Sequence, residues 1–199
     1  KIQEWFVSRH ITVDFLNMGG GLGINYYEPE QEPIPDFVSY FKIFNEFLDL
    51  RPGQQVHFEL GRSIVGQCGS LFTRALFIKK GINTNFVILD AGMTELIRPM
   101  LYGSQHYIEN ISNPKGKERF YTVVGYICET DTFANNRRIA EIKEGDLLCF
   151  RNAGAYCFSM SSNYNSRYKP AEVLWKDGKG ILIRARETFE DLLKNQIVL

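Results

Sequence analysis

Three consecutive glycines, Gly19-Gly20-Gly21, followed by Leu22-Gly23, are the first residues whose types could do chemistry. With no Cβ in the way and φ unrestricted, their backbone N–H groups can approach an anion closely, and a phosphate is the natural guest. Alone, the triplet serves equally as a plain turn, because it matches neither the dinucleotide fingerprint nor the P-loop. Glu59-Leu60-Gly61-Arg62 next sets a carboxylate, a flexible glycine and a guanidinium in one short segment. A surface ion pair is the alternative there, but two phosphate-friendly loops at successive strand ends favour one shared anion site. Asp90-Ala91-Gly92-Met93 precedes Arg98 and Tyr102, which stand in an otherwise apolar connection. A carboxylate pocket needs that pairing, and a surface-stacked arginine would look the same.

Cys128-Glu129-Thr130-Asp131 places a thiol among acids. Burial as an inert thiol is the commoner fate of cysteine, yet adjacent acids argue against full burial. Like charges disfavour a thiolate, which suits Cys128 to donating a proton rather than attacking as a nucleophile. Asn152-Ala153-Gly154-Ala155-Tyr156 and Ser162-Asn163-Tyr164-Asn165-Ser166-Arg167 complete the set, and turn chemistry alone could account for either. His10, His57 and His106 form no motif, and His57 reads as a satisfied core or rim residue.

These residues need elements to position them. A strand over Ile11–Leu16 leads into the glycine loop, and a Pro- and Glu-rich connection over Glu28–Pro35 follows. Asp36 can cap a helix on which Phe37, Phe41, Phe44 and Leu48 recur at spacings of three and four, ended by Pro52-Gly53. Val56–Leu60 is then a second strand, giving the strand, loop, helix, strand order of a parallel α/β unit. Beyond Gly61 the pattern is β-rich. Strands are expected over 71–78, 86–89, 121–127, 147–150, 155–159, 172–175 and 181–184, as in an antiparallel sandwich or barrel, with a short helix over 187–194.

Composition bounds the partners. The 199 residues carry 23 Lys plus Arg against 23 Asp plus Glu, a balance that gives no electrostatic reason to expect nucleic acid or an acidic membrane surface. With 44% apolar and 14% aromatic residues the chain can fill a real core. No apolar stretch approaches the roughly 18 residues of a membrane span. Cys68, Cys128, Cys149 and Cys157 show no metal-ligand spacing, so no metal is expected, and they suit reduced thiols in a cytoplasm.

In order, Gly19-Gly20-Gly21-Leu22-Gly23, Glu59-x-Gly61-Arg62, Asp90-Ala91-Gly92-Met93, Arg98-Pro99-x-Leu101-Tyr102, Cys128-Glu129, Gly154-Ala155-Tyr156 and Ser162-Asn163-Tyr164-Asn165-Ser166-Arg167 resemble the diaminopimelate decarboxylase family. Each motif is shared with the wider fold-type III pyridoxal-phosphate decarboxylases of ornithine, arginine or carboxynorspermidine. The resemblance implies an α/β plus all-β chain: residues 1–66 as the last strands of a TIM-type barrel, and 67–199 as a C-terminal β-sandwich or β-barrel domain carrying substrate and dimer-interface residues. It implies that Gly19, Gly20 and Gly21, with Gly61 and Arg62, hold the phosphate of pyridoxal 5'-phosphate, and that Glu59 pairs with the pyridine nitrogen. Arg62, Arg98 and Tyr102 resemble the pocket for the substrate's distal carboxylate, Glu129 the residue that recognises its distal amine, and Tyr156 a tyrosine facing cofactor and substrate. Cys128 resembles the proton donor to the carbanion. In such enzymes Cys128 and Glu129 reach a partner subunit's site, which implies a homodimer acting on a small amino acid.

The sequence departs from the family in three places. Leu60 stands where the family usually has proline, and the Cys128 motif is one residue shorter than Cys-Glu-Ser-Gly-Asp, which leaves the placement of Asp131 open. No segment corresponds to the lysine that anchors the cofactor or to its ring-stacking histidine. A (β/α)₈ barrel alone takes roughly 250 residues, so the expectation is a C-terminal part of a longer decarboxylase that is inactive alone. The alternatives are a non-catalytic dimerisation and substrate-recognition module, or a related basic amino-acid decarboxylase.

Overall fold

The computed structural model describes residues 1–197. The last two residues of the expected 67–199 domain lie outside the described residues.

The first third is built around one helix. Helix α1 (Ile2–Val7) precedes strand β1 (Phe15–Asn17), helix α2 (Phe37–Phe47) and strand β2 (Gln55–His57), and β1 pairs in parallel with β2. Asp36 caps α2, its Oδ1 accepting from the Ser39 backbone N–H at 2.9 Å. The phenylalanine spacing forms a cluster in which Phe58 meets Phe41 at 5.0 Å and Phe44 at 4.9 Å, both edge-on. Leu48 leaves the helix in extended backbone, so α2 stops before Pro52, and Gly53 (φ +85°) serves the turn into β2 instead. Both strands are shorter than expected and their helical lead-in, α1, was not foreseen.

A six-stranded mixed sheet makes up the rest. Its strands are β3 (Leu71–Lys80), β4 (Asn85–Leu89), β5 (Ile108–Asn110), β6 (Glu118–Val124), β7 (Thr132–Ala140) and β8 (Leu147–Phe150), in the order β5-β8-β3-β4-β6-β7. Only β4 and β6 run parallel. The sheet curls until β5 and β7 approach, giving a nearly closed barrel. Inside lie Val87, Leu89, Leu96, Val123, Leu148 and Phe150, all essentially inaccessible, with the Phe133 ring 4.8 Å from that of Phe150. A separate hairpin of β9 (Glu172–Lys176) and β10 (Lys179–Arg184) precedes helix α5 (Phe189–Leu193).

Two expectations need correction. Residues 155–159 form no strand, because Tyr156 takes a left-handed φ of +59° and a 3₁₀ turn follows over Phe158–Met160. The strand expected over 121–127 ends at Val124, and the next residues turn back into β7, which the sequence pattern did not reveal.

The two regions are joined by short backbone contacts. The Gly154 N–H donates to the Gly66 carbonyl at 2.9 Å and the Ala153 N–H to that of Gly69 at 2.8 Å. Asn152 Nδ2 reaches the Asn25 carbonyl at 2.8 Å, and Arg151 pairs with both Glu30 and Glu109.

Candidate functional site

The glycine loop leaves the end of β1 and lies against the chain that follows β2. Asn17 fixes both: its Nδ2 donates to Glu59 Oε1 and its Oδ1 accepts from the Gly19 N–H, each at 2.7 Å. The Glu59 N–H donates to the Gly19 carbonyl at 2.7 Å. A Cβ on Gly20 would stand 2.7 Å from the Glu59 carbonyl oxygen, so only glycine allows this approach. Gly19 (φ +68°) and Gly21 (φ +100°) occupy the left-handed region, with open space where their Cβ atoms would be. From α2, the Tyr40 hydroxyl donates to the Gly20 carbonyl at 2.8 Å.

Gly61 begins the short helix α3 (Arg62–Val65). First-turn N–H groups have no intrahelical acceptor, and the Ser63 hydroxyl and Arg62 Nε are buried without a partner among the described residues. Free donors beside a Cβ-less cradle, with a carboxylate held by Asn17 next to it, fit a phosphate ester carried on a ring whose nitrogen is protonated.

A second group forms around Arg98, on the short helix α4 (Arg98–Tyr102) that ends at Gly103 (φ +62°). The guanidinium lies 5.1 Å from the Tyr102 ring and 5.0 Å from the Tyr156 ring. Two aromatic faces hold the cation without neutralising it, so it can still bind a carboxylate. Tyr156 links the groups, since its hydroxyl lies 3.6 Å from where a Gly61 Cβ would stand. Glycine loop, Glu59, Gly61, Arg62, Tyr156, Arg98 and Tyr102 are thereby connected.

Cys128 and Glu129 stand apart from these contacts, exposed at the tip between β6 and β7. Tyr164 donates to Glu129 Oε1 at 2.8 Å, and Asn165 Nδ2 approaches Cys128 Sγ at 3.6 Å. The Glu129 carboxylate, hydrogen bonded to the Tyr164 phenol, holds that phenol above its ordinary range. Asp131 is buried and structural: it accepts the Met93 N–H at 2.7 Å and the Ile127 N–H at 3.0 Å, bracing the tip from beneath. Burial is the main reason its carboxyl titrates above the usual range. A cleft of about 390 Å³ opens between α4 and β7, lined by Met100, Gly103, Gln105, Thr132, Asn135 and Arg137; the expected site residues are not part of its wall.

The four cysteines are free, Cys68 and Cys128 exposed and Cys149 and Cys157 buried. Burial pushes the Cys157 thiol up to about 12. Iodoacetamide applied to the native chain near pH 8 is therefore expected to label Cys68 and Cys128 and spare the other two, as read by peptide mass. Equal labelling of all four would contradict this burial pattern.

Sequence reasoning missed Asn17, which clamps Glu59, and Tyr40, which holds Gly20. It also missed Tyr164 and Asn165 as partners of Glu129 and Cys128. An Asn two residues before a glycine turn is a known signature of side-chain-to-backbone bonding; Tyr40 gave no local signal, because its partner is distant in sequence. His57, read as a core or rim residue, is exposed, with Phe15 edge-on at 5.1 Å.

Residues 11–154 match the family described as pyridoxal-dependent decarboxylase, C-terminal sheet domain. A diaminopimelate decarboxylase of Bacteroides thetaiotaomicron is 48% identical over 171 residues, covering 85% of this chain and 44% of that protein. A crystal structure of AQ1208 from Aquifex aeolicus superposes with a TM-score of 0.88 at 36% identity, covering 100% of this chain and 49% of that one. The diaminopimelate decarboxylase of Helicobacter pylori complexed with L-lysine gives 0.80 at 38% identity, covering 97% and 47%. The chain spans about half the length of the relatives it matches. No helix among the described residues is long and apolar enough to cross a membrane. With most of its length matched and its fold shared, this chain belongs to the pyridoxal-dependent decarboxylase family, in the region of the C-terminal sheet domain.

Proposed function

We propose that the enzyme containing this chain decarboxylates meso-2,6-diaminopimelate at its D-configured centre to give L-lysine, in the cytoplasm, as a homodimer with shared sites. The observation that carries this reading is Arg98, held between the Tyr102 and Tyr156 rings with no ion-pair partner among the described residues, with the Tyr156 hydroxyl 3.6 Å from where a Gly61 Cβ would stand. A site for an anionic cofactor thus adjoins a site for a second carboxylate.

In this reading Gly19, Gly20 and Gly21, with the Gly61 and Arg62 N–H groups, hold the phosphate of pyridoxal 5'-phosphate. Glu59, oriented by Asn17, keeps the ring nitrogen protonated. The cofactor, when bound, supplies an electron sink for the pair left behind as carbon dioxide departs. Arg62, Arg98 and Tyr102 bind the distal carboxylate, Glu129 accepts from the distal ammonium, and Tyr156 would help hold both cofactor and substrate. Cys128 donates its thiol proton to the carbon that has lost its carboxylate, so the product centre gains one proton and the thiolate regains one from solvent. Cys128 and Glu129 are exposed and anchored on Asn165 and Tyr164, as suits a pair that enters a second copy's site.

Supplied with pyridoxal 5'-phosphate and meso-diaminopimelate, the enzyme should release carbon dioxide and L-lysine in equal amounts. Absence of lysine from that reaction would refute the assignment.

A further inference from the structure

Three pairs of side chains sew the tip between β6 and β7 to the loop over residues 163–167. The Arg167 guanidinium lies 3.8 Å from the centre of the Tyr126 ring, Tyr164 donates to Glu129 Oε1 at 2.8 Å, and Asn165 Nδ2 donates to Cys128 Sγ at 3.6 Å. Both sides of this seam are braced. The Tyr126 hydroxyl donates at 2.9 Å to Glu95, a buried carboxylate that also accepts the Gly92 N–H at 2.7 Å. On the loop side, Asn163 Nδ2 donates to the Arg167 carbonyl at 2.9 Å.

Asn165 occupies the left-handed region at φ +53°, followed by Ser166 at +56°. Asn tolerates that backbone better than most residues with a side chain, and the turn leaves its amide against the sulfur. Among the described residues Asn165 is the one donor to Cys128 Sγ. A thiol sulfur accepts hydrogen bonds weakly, whereas a thiolate is a full anion that draws an N–H strongly. The contact therefore strengthens as the S–H bond breaks, and a contact that is stronger in the transition state than before it speeds the step. The adjacent Glu129 carboxylate acts in the opposite sense, disfavouring charge on the sulfur.

We propose that Asn165 is a positioning residue for the proton donor: its side-chain N–H fixes the Cys128 sulfur at the tip and stabilises the negative charge that the sulfur gains as its proton leaves. The inference rests on the diaminopimelate reading above, in which the S–H bond breaks, a C–H bond forms at the carbon that has lost its carboxylate, and the sulfur keeps the electron pair.

Two variants separate this role from a purely structural one. Asn165→Gly keeps the left-handed backbone and removes the amide. Asn165→Asp keeps the shape and turns the donor into an acceptor. In the cofactor-loaded enzyme both should lower kcat for meso-diaminopimelate by about tenfold, with KM and cofactor affinity within about twofold. The effect should vanish once the thiol is gone: in a Cys128→Ala background, Asn165→Gly should change the residual rate by less than about twofold. Independently of turnover, iodoacetamide labelling of the cofactor-free enzyme, read by peptide mass, should slow at Cys128 relative to Cys68 by about two- to threefold in Asn165→Gly and by more in Asn165→Asp.

Full turnover in Asn165→Asp would overturn the proposal, because shape would then be all that Asn165 supplies. So would an equal loss with and without the Cys128 thiol, which would make Asn165 structural, or an unchanged labelling ratio. An unsubstituted enzyme that forms no lysine would instead overturn the reading on which the proposal rests, while the labelling ratio, which needs no turnover, still decides whether the amide acts on the sulfur.

Discussion

Replacing Cys128 by Ala is expected to lower kcat by about 10²- to 10⁴-fold, the usual worth of a positioned general acid, with cofactor affinity unchanged. The substitution removes one exposed sulfur whose hydrogen-bond contact is to Asn165, so folding has little to lose. The tip stays in place because Asp131 holds it from below through the Met93 and Ile127 N–H groups. Single-turnover kinetics with cofactor titration separates the two effects. Equal loss of turnover and cofactor binding would instead make Cys128 structural. The proposed sharing of the site between copies predicts a second signature: Cys128→Ala and Arg98→Ala enzymes, each inactive on diaminopimelate, should regain about a quarter of normal activity when unfolded and refolded together. Random pairing makes half the dimers mixed, each with one intact site of two.

Gly154→Ala should be the most damaging small substitution in the chain. The new Cβ would stand 1.9 Å from the Val65 carbonyl oxygen and 2.9 Å from the Gly69 nitrogen. Neither is the end of a flexible side chain, so relief requires the backbone bonds from Gly154 to Gly66 and from Ala153 to Gly69 to open. A cost of roughly 3 kcal/mol is expected, or a fall of about 6–12 °C in Tm at this chain length. The same segment carries Tyr156, so the Arg98 contact should loosen with it. Gly23→Ala is the control, since nothing lies within 4 Å of its Cβ position, and its Tm should barely change. Equal melting of the two variants would show that the Gly154 junction is not tightly packed.

The elements that place the candidate site were legible in the sequence wherever the signal is local. Asp36 and the phenylalanine spacing specify α2, and glycine loops announce close backbone approach before any fold is known. Strand β7 escaped because its middle, Asn135-Asn136-Arg137-Arg138, is polar: part of it faces solvent, with Arg138 paired to Glu118, so alternation of apolar residues was never its signal. Residues 155–159 read as a strand for the opposite reason, since an apolar run needs burial but not a ladder, and the left-handed Tyr156 breaks the extended path. The sequence leaves the placement of Asp131 open. It is buried because Gly92 and Gly125 leave room for its carboxylate, a complementarity spread over about 40 residues that no local pattern conveys.

The central claim is that Arg98 and its tyrosines select a substrate with a second carboxylate, and the ratio of kcat/KM for meso-diaminopimelate to that for L-ornithine measures it. The unsubstituted enzyme should favour diaminopimelate by about 10²-fold or more, and Arg98→Ala should abolish that preference by lowering only the diaminopimelate value. An enzyme that prefers ornithine, or an Arg98→Ala variant that loses both activities equally, would contradict the claim.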